Sequence, residues 1–329
     1  EYSSGSWTKL GDDIDEDLEF LIENKCDQIG LSSGFPRLDA VIGGGLRRKC
    51  VDLVSARPGV GKSVFADNVA LYNARRGIPV LMLDTEMSKE DHLNRILSNI
   101  SGVPIEEVAT GSFSEDDEKL IKVKKAMEEI REIPYTYVSV AGAPFETIIN
   151  TIKRWLMQDV GQDEYGRTND CLVVYDYLKL MSSSSISNNI QEYQALGFQI
   201  TNLHNLAVKY DFPCLSFVQL NRDGITKEST DAVSGSDRLI WLCTSFSIFK
   251  LKSAEELAED GPSSGNRKLV TLKARHGAGL LDGNYINMNM IGSHSQLLEL
   301  RTRDEVRSSP EGDIIEGADL PFEVDKHED

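Results

Sequence analysis

Residues 56–63 read ARPGVGKS, and this octapeptide decides the fold. It follows an apolar run, CVDLVSA (50–56), and opens a stretch of helical pattern over 62–76. A glycine-rich turn between a buried strand and a helix is a phosphate cradle, because free backbone N–H groups and the helix dipole attract anionic oxygens there. In this P-loop pattern Lys62 neutralises the β and γ oxygens of a nucleotide, and Ser63 binds Mg²⁺. Arg57, Pro58, Gly59, Val60 and Gly61 supply the wrap, although Pro58 has no N–H to offer. The motif's first glycine is replaced by Ala56, while Gly59 and Gly61 keep the places where backbone must approach phosphate closely. The expected ligands are ATP and Mg²⁺.

Outward from the loop, apolar strand candidates recur at 79–84, 135–140, 171–176 and 213–218, with helical stretches at 88–100, 115–131, 144–159 and 190–210 between them. Near-continuous apolar strands alternating with helices predict an α/β fold with a parallel sheet buried on both faces. After about residue 238 the apolar runs LIWLCTSFSIFK, KLVTLKA, NYINMNM and QLLEL crowd together with turn-rich spacers, which predicts antiparallel hairpins extending the sheet. Before the core, Ile14, Leu18, Leu21 and Ile22 fall at helical spacing in a short amphipathic helix. The expected organisation is a disordered leader over 1–13, a helical linker over 14–28, an ATPase domain over 29–303 and an acidic flexible tail over 304–329.

Composition narrows the class. With 40% apolar residues the 329-residue chain can bury a large core, and it has no run of 18 apolar residues to cross a membrane. Its polar, acidic first residues do not read as a signal peptide, so the cytoplasm is the expected compartment. The five cysteines form no CxxC pair and read as small buried hydrophobes, not as a zinc site or a disulfide framework. A net charge of −18, from 35 basic and 53 acidic residues, excludes a general nucleic-acid-coating protein. It leaves room for a protein that touches DNA through a few basic loops, because charge is screened beyond roughly 10 Å.

Four further segments carry candidate chemistry. CLVVYD (171–176) ends in Asp176, the type of acid that supports a nucleotide-bound Mg²⁺ at a strand end. PVLMLDTEMS (79–88) places Glu86 just past a strand as the candidate general base, with Asp84 as its competitor. PCLSFVQLNR (213–222) puts Gln219 at a strand end, where an amide can sense the γ-phosphate or can be a plain polar terminus. LKARHGAG (272–279) carries Lys273 and Arg275 at alternate positions, either as cations that reach a neighbour's γ-phosphate or as a solvated basic face.

In this order the segments resemble the C-terminal motor domain of the DnaB-like replicative helicases, over about residues 31–290. SSGFPRLDAVIGGGL (32–46) looks like that family's entry into the core, and the Ala at the first P-loop position is shared with it. The resemblance implies a RecA-like core and a homo-hexamer that encircles single-stranded DNA, with primase and a helicase loader as candidate partners. It implies that Lys62 and Ser63 hold nucleotide and Mg²⁺, Asp176 supports Mg²⁺, Glu86 activates water and Gln219 senses the γ-phosphate. By the same resemblance Arg95 lies near the nucleotide, Arg275 with Lys273 acts on the adjacent subunit, and the helix from residue 14 docks on a neighbour.

Two departures stand out. The residues before 14 hold no counterpart of the family's primase-meeting domain. In the family's DNA loop an Arg-Glu-Ser-Gly run is expected, and DAVSGSDRL (231–239) keeps only Ser234 and Gly235 of it. DNA contacts are then expected from the backbone at Gly235 and Ser236 and from the charges of Arg222, Lys227 and Arg238. A RecA-type filament or strand-exchange ATPase and a regulatory ATPase that does not translocate are the alternative readings.

Overall fold

Val51 to Ala56 form β1, and every residue of it is buried. A strand covered on both faces needs no alternation of polar and apolar residues, which is why CVDLVSA reads as one continuous run. The computed structural model describes residues 9, 11, 14–23, 25–26, 28–164, 166–178, 189–219 and 237–308. The other strands are β2 (Val80–Asp84), β3 (Tyr135–Ser139), β4 (Leu172–Leu178), β5 (Cys214–Val218), β6 (Ser245–Leu251), β7 (Arg267–Ala274), β8 (Ile286–Ile291) and β9 (Gln296–Thr302). They form one sheet in the order β3-β2-β4-β5-β1-β6-β7-β8-β9. The six strands from β3 to β6 are parallel, and β7, β8 and β9 continue the sheet antiparallel. The α/β class with antiparallel C-terminal strands is as expected from the sequence.

The helices are α1 (Ile14–Glu23), α2 (Pro36–Ile42), α3 (Lys62–Arg75), α4 (Lys89–Ser101), α5 (Ile105–Thr110), α6 (Asp117–Glu132), α7 (Phe145–Trp155), α8 (Asn189–Tyr210), α9 (Asp237–Leu242), α10 (Ala254–Asp260) and α11 (Arg303–Ser308). One sheet face presents Leu53, Leu83, Val173 and Tyr175 to Ile152 and Trp155 of α7 and Ile200 and Leu203 of α8. The other presents Val54, Met82, Val174 and Phe217 to Leu38 of α2 and Phe65 and Val69 of α3. Each such buried aliphatic or aromatic side chain contributes about 1.5–3 kcal/mol. A smaller cluster built on Leu97, Val103, Val108, Val123 and Ala126 holds α4, α5 and α6 together.

Three details differ from the sequence expectation. LIWLCTSFSIFK divides into the end of α9 and β6, and β6 pairs parallel to β1, so the antiparallel part begins one strand later. The boundary expected at 304 falls inside α11, where the Glu305 carboxylate accepts the Thr302 N–H at 2.6 Å and the Arg37 Nε–H at 2.8 Å. The helix before the core ends at Glu23, and Ile14, Leu18, Leu21 and Ile22 are all more than half exposed on it. Of the expected leader only Lys9 and Gly11 are described, and residues 309–329 of the expected tail lie outside the described residues. Four of the five cysteines are buried and Cys26 is exposed. Among the described residues no helix is long and apolar enough to cross a membrane.

Candidate active site

The carboxyl ends of β1, β2, β4 and β5 converge on one edge of the sheet, the edge where open α/β sheets bind ligands. Residues 57–61 turn from β1 into α3, which starts at Lys62 with Gly61 as its N-cap at φ 113°. No side chain caps this helix. Its first N–H groups are therefore left for an anion, whereas Ser88 caps α4 by accepting the Asp91 N–H. The left-handed backbone at Gly61 favours glycine, and the Met290 side chain packs closely over it.

Beside the loop lies a cavity of about 680 Å³, lined along the P-loop by Ala56 to Gly59 and Gly61 to Ser63. Glu86, Arg95, Tyr177 and Gln219 line it as well, so most of the sequence-predicted nucleotide residues meet there. Val60 belongs to the wrap by its backbone only: its side chain is buried, and its carbonyl accepts Arg267 Nε–H at 2.9 Å. Ligand pockets run from about 300 to 1,000 Å³, which brackets this one.

Lys62 and Asp176 are ion-paired at 3.0 Å, and the ammonium also stands 3.2 Å from the centre of the Tyr177 ring. Burial pushes the Lys62 ammonium below its usual range, and the Asp176 carboxylate acts against that. β4 continues two residues past Asp176 to Leu178, which carries Tyr177 to the cavity wall. The Tyr177 hydroxyl donates to Glu86 Oε1 at 2.9 Å, so one tyrosine joins the candidate base to the P-loop lysine. Glu86 is exposed, whereas Asp84 is buried and its Oδ1 accepts the N–H groups of Glu86 at 2.7 Å and Met87 at 2.9 Å. Burial raises the Asp84 carboxyl above its usual range.

The residues fit a nucleotide with Mg²⁺. The helix N-terminus is uncapped, a Cβ at Gly59 would project into open space, and Lys62 and Ser63 line the cavity. Among the described residues no three His, Cys, Asp or Glu side chains converge as a metal cage. A magnesium ion at Ser63 and Asp176 would take its remaining ligands from phosphate oxygens and water, as this ion usually does.

Sequence reasoning missed the far wall. Ile105, Tyr177, Met290, Gly292 and Ser295 line the cavity, and only Tyr177 had a signal, its place beside Asp176. The β8–β9 turn reaches the site because the Ser295 carbonyl accepts Asn68 Nδ2–H at 2.9 Å and Asn99 Nδ2–H at 2.6 Å. His92 was missed too. Its ring stacks on Tyr137 with centroids 4.3 Å apart, its Nε2 lies 3.0 Å from the Tyr135 hydroxyl, and its Nδ1 lies 3.5 Å from Asp67 Oδ1. These contacts fix α4, and with it Arg95, against α3. Burial pushes His92 down to about 3 and the Asp67 carboxyl well up.

Lys273 and Arg275 lie elsewhere. β7 pairs Ala274 with Ser245 and Arg267 with Leu251, so it runs from the P-loop edge to the opposite edge of the sheet. Seven residue steps of about 3.4 Å put Ala274 roughly 24 Å from Arg267. The strand ends at Ala274, so the common direction expected of alternate strand positions does not extend to Arg275. The Lys273 ammonium donates to the carbonyls of Ile240, Trp241 (3.2 Å) and Cys243 (2.8 Å), capping the end of α9. Arg275 is exposed, and its guanidinium has no ion pair among the described residues. Arg222, Lys227, Gly235 and Ser236 lie outside the described residues; Arg238 falls in α9, with its side chain outside them.

Comparison with known proteins finds relatives in sequence and in fold. The chain is 30% identical over 198 residues to a probable replicative DNA helicase of Trieres chinensis, covering 59% of this chain and 40% of that protein. It is 27% identical over 202 residues to a Synechocystis replicative DNA helicase, covering 61% of this chain and 22% of that protein. The aligned stretch thus spans two-fifths or less of these relatives. The fold matches a solved ATPase domain with a TM-score of 0.72 at 19% identity, over 91% of this chain and 100% of that one. It matches a DnaB-like replicative helicase, studied with its primase interactions, with a TM-score of 0.72 at 17% identity, over 90% of this chain and 68% of that one. The family model described as the DnaB-like helicase C-terminal domain matches residues 30–234, more than half of the sequence. The chain belongs to the DnaB-like helicase C-terminal domain family.

Proposed function

We propose that this chain is the motor of a ring-shaped replicative DNA helicase, hydrolysing ATP between subunits to move along single-stranded DNA and open duplex. The observation that carries the proposal is the length of β7. Arg267 touches the P-loop of its own chain, and Arg275 stands at the far edge of the same sheet, exposed. An arginine side chain cannot cross roughly 24 Å, so Arg275 can serve a nucleotide only on another copy. That supports a composite site between neighbouring copies, with a homo-hexamer as the expected assembly.

Within one site the residues divide the work. Lys62 and the N–H groups of 59–63 hold the phosphates, Ser63 and Asp176 hold Mg²⁺, Glu86 takes the proton of the attacking water, and Gln219 faces the γ-phosphate. The bound Mg²⁺ supplies charge neutralisation at the phosphates. The Tyr177 hydroxyl, donating to Glu86, keeps that carboxylate aimed. DNA is proposed to meet the segments around Arg222, Lys227 and 235–238, and primase and a loader are proposed as cellular partners. The apolar stripe of α1 is proposed to dock on a neighbouring subunit.

The test is unwinding of a forked duplex by the 329-residue chain with ATP and Mg²⁺. Strand separation that requires a single-stranded tail supports a translocating motor. ATP hydrolysis without any separation would leave a regulatory ATPase as the better reading.

A further inference from the structure

We propose that Arg47 is a positioning residue for Arg275. The inference rests on the reading of Arg275 as a cation that acts on a neighbouring subunit. Nothing among the described residues grips its guanidinium, so its place is set through the backbone that carries it. On one side the Arg275 N–H donates to the Thr244 carbonyl at 3.0 Å. On the other side the turn from 275 to 279 lies against the C-terminal end of α2 with no side chain between the two backbones. A Cβ at Gly277 would stand 2.0 Å from the Val41 carbonyl oxygen, and one at Gly43 would stand 2.3 Å from the His276 carbonyl carbon. The Gly279 N–H donates to the Val41 carbonyl at 3.2 Å.

Backbone bonds from the Gly43 and Gly44 N–H groups to the Ala40 and Asp39 carbonyls close that end of α2, and its outer carbonyl, at Gly43, is gripped by a side chain. Gly43 is left-handed at φ 97°, and its carbonyl receives both Arg47 Nε–H, at 2.9 Å, and Arg47 Nη2–H. A guanidinium on the closing carbonyl of a helix satisfies an acceptor that the helix leaves open and complements its dipole. The consequence is local: Arg47 fixes Gly43, Gly43 abuts His276 and Gly277, and these residues carry Arg275. Arg47 touches neither the P-loop nor the cavity wall of its own chain.

The experiment is a double-mutant cycle on steady-state ATPase of the full chain with DNA, using Arg47→Met, the milder Arg47→Lys, Arg275→Ala and the two combinations. Arg47→Met should lower kcat by about tenfold to a hundredfold, the scale of an ångström of misplacement, with KM for ATP unchanged. Arg47→Lys can still donate to Gly43 and should lose less. In the Arg275→Ala background neither Arg47 substitution should lower the rate further. If the losses multiply, or if KM rises in step with the fall in kcat, Arg47 acts on the fold at large and the inference is overturned. If Arg275→Ala itself leaves kcat intact, the reading of Arg275 fails first, and that outcome is visible in the single variant. Should Arg47→Met prove insoluble, the cycle with Arg47→Lys decides by the same criterion.

Discussion

The Asp84 carboxylate accepts the backbone N–H of Glu86 at 2.7 Å, and this bond divides the labour of the two acids in DTEMS. Asp84 is buried and shapes the turn, and Glu86 is displayed into the cavity. Glu86→Gln should bind ATP normally and hydrolyse it about 10²- to 10⁴-fold more slowly. Asp84→Asn keeps an acceptor for the turn and should lose far less. Nucleotide binding and single-turnover hydrolysis measured on both variants check this; an active Glu86→Gln beside a dead Asp84→Asn would reverse the assignment.

Lys62 is the cation that both Asp176 and the Tyr177 ring hold at the cavity. Lys62→Ala should abolish hydrolysis while the sheet, whose core it does not join, stays folded. Chelation of Mg²⁺ should abolish hydrolysis of the unaltered chain reversibly. Unchanged turnover in Lys62→Ala, with folding confirmed by circular dichroism, would put the nucleotide elsewhere.

Asp52 of β1 is fully buried beside the Ser245 hydroxyl, and burial raises its carboxyl to about 7. The unfolded chain loses this proton near the ordinary carboxylate value and the folded one near neutrality. Between about pH 4 and 7 the folded state therefore binds more protons, and this group's stabilisation declines as pH rises through that window. The full effect is bounded by roughly 4 kcal/mol, at 1.36 kcal/mol per unit. His92, depressed to about 3, works in the opposite sense, costing stability as pH falls below about 6.5. The difference between Asp52→Asn and the unaltered chain isolates the first effect. Denaturant melts at several pH values should show Asp52→Asn gaining relative stability from about pH 4 to 7, and a pH-independent difference would contradict this.

How far the sequence could be read depended on whether the chemistry is local. ARPGVGKS and DTEMS each fold at one strand-to-loop junction and VVYDY lies within one strand, so short segments sufficed to name Lys62, Asp176 and, with Asp84 as its competitor, Glu86 as candidates. The far wall is not local: Ser295 reaches the cavity through Asn68, 227 residues away in sequence, and no periodicity marks that contact. The fate of Lys273 depended on α9, which lay hidden inside an apolar run that reads as strand. A six-residue helix packed by tertiary contacts leaves too short a pattern to be recognised.

The stripe of Ile14, Leu18, Leu21 and Ile22 on α1 has no cover within the described chain. Deleting residues 1–26 should weaken assembly and leave the ATPase fold intact. Sedimentation velocity of the truncated chain checks this, and intact hexamers after truncation would remove the stripe from the interface.

The central claim is that hydrolysis is completed by Arg275 of another subunit, and mixing subunits tests it most directly. In rings of Arg275→Ala every site lacks the cation, so hydrolysis should fall by roughly 10³ or more. Nucleotide binding should change far less, because each P-loop is untouched. Adding Lys62→Ala subunits, which are defective at their own P-loop but keep a normal Arg275, creates interfaces that pair one intact P-loop with one intact Arg275. Steady-state ATPase plotted against mixing ratio should then rise from background, pass through a maximum and fall again. A flat line at background, with mixed rings confirmed by native mass spectrometry, would contradict action between subunits.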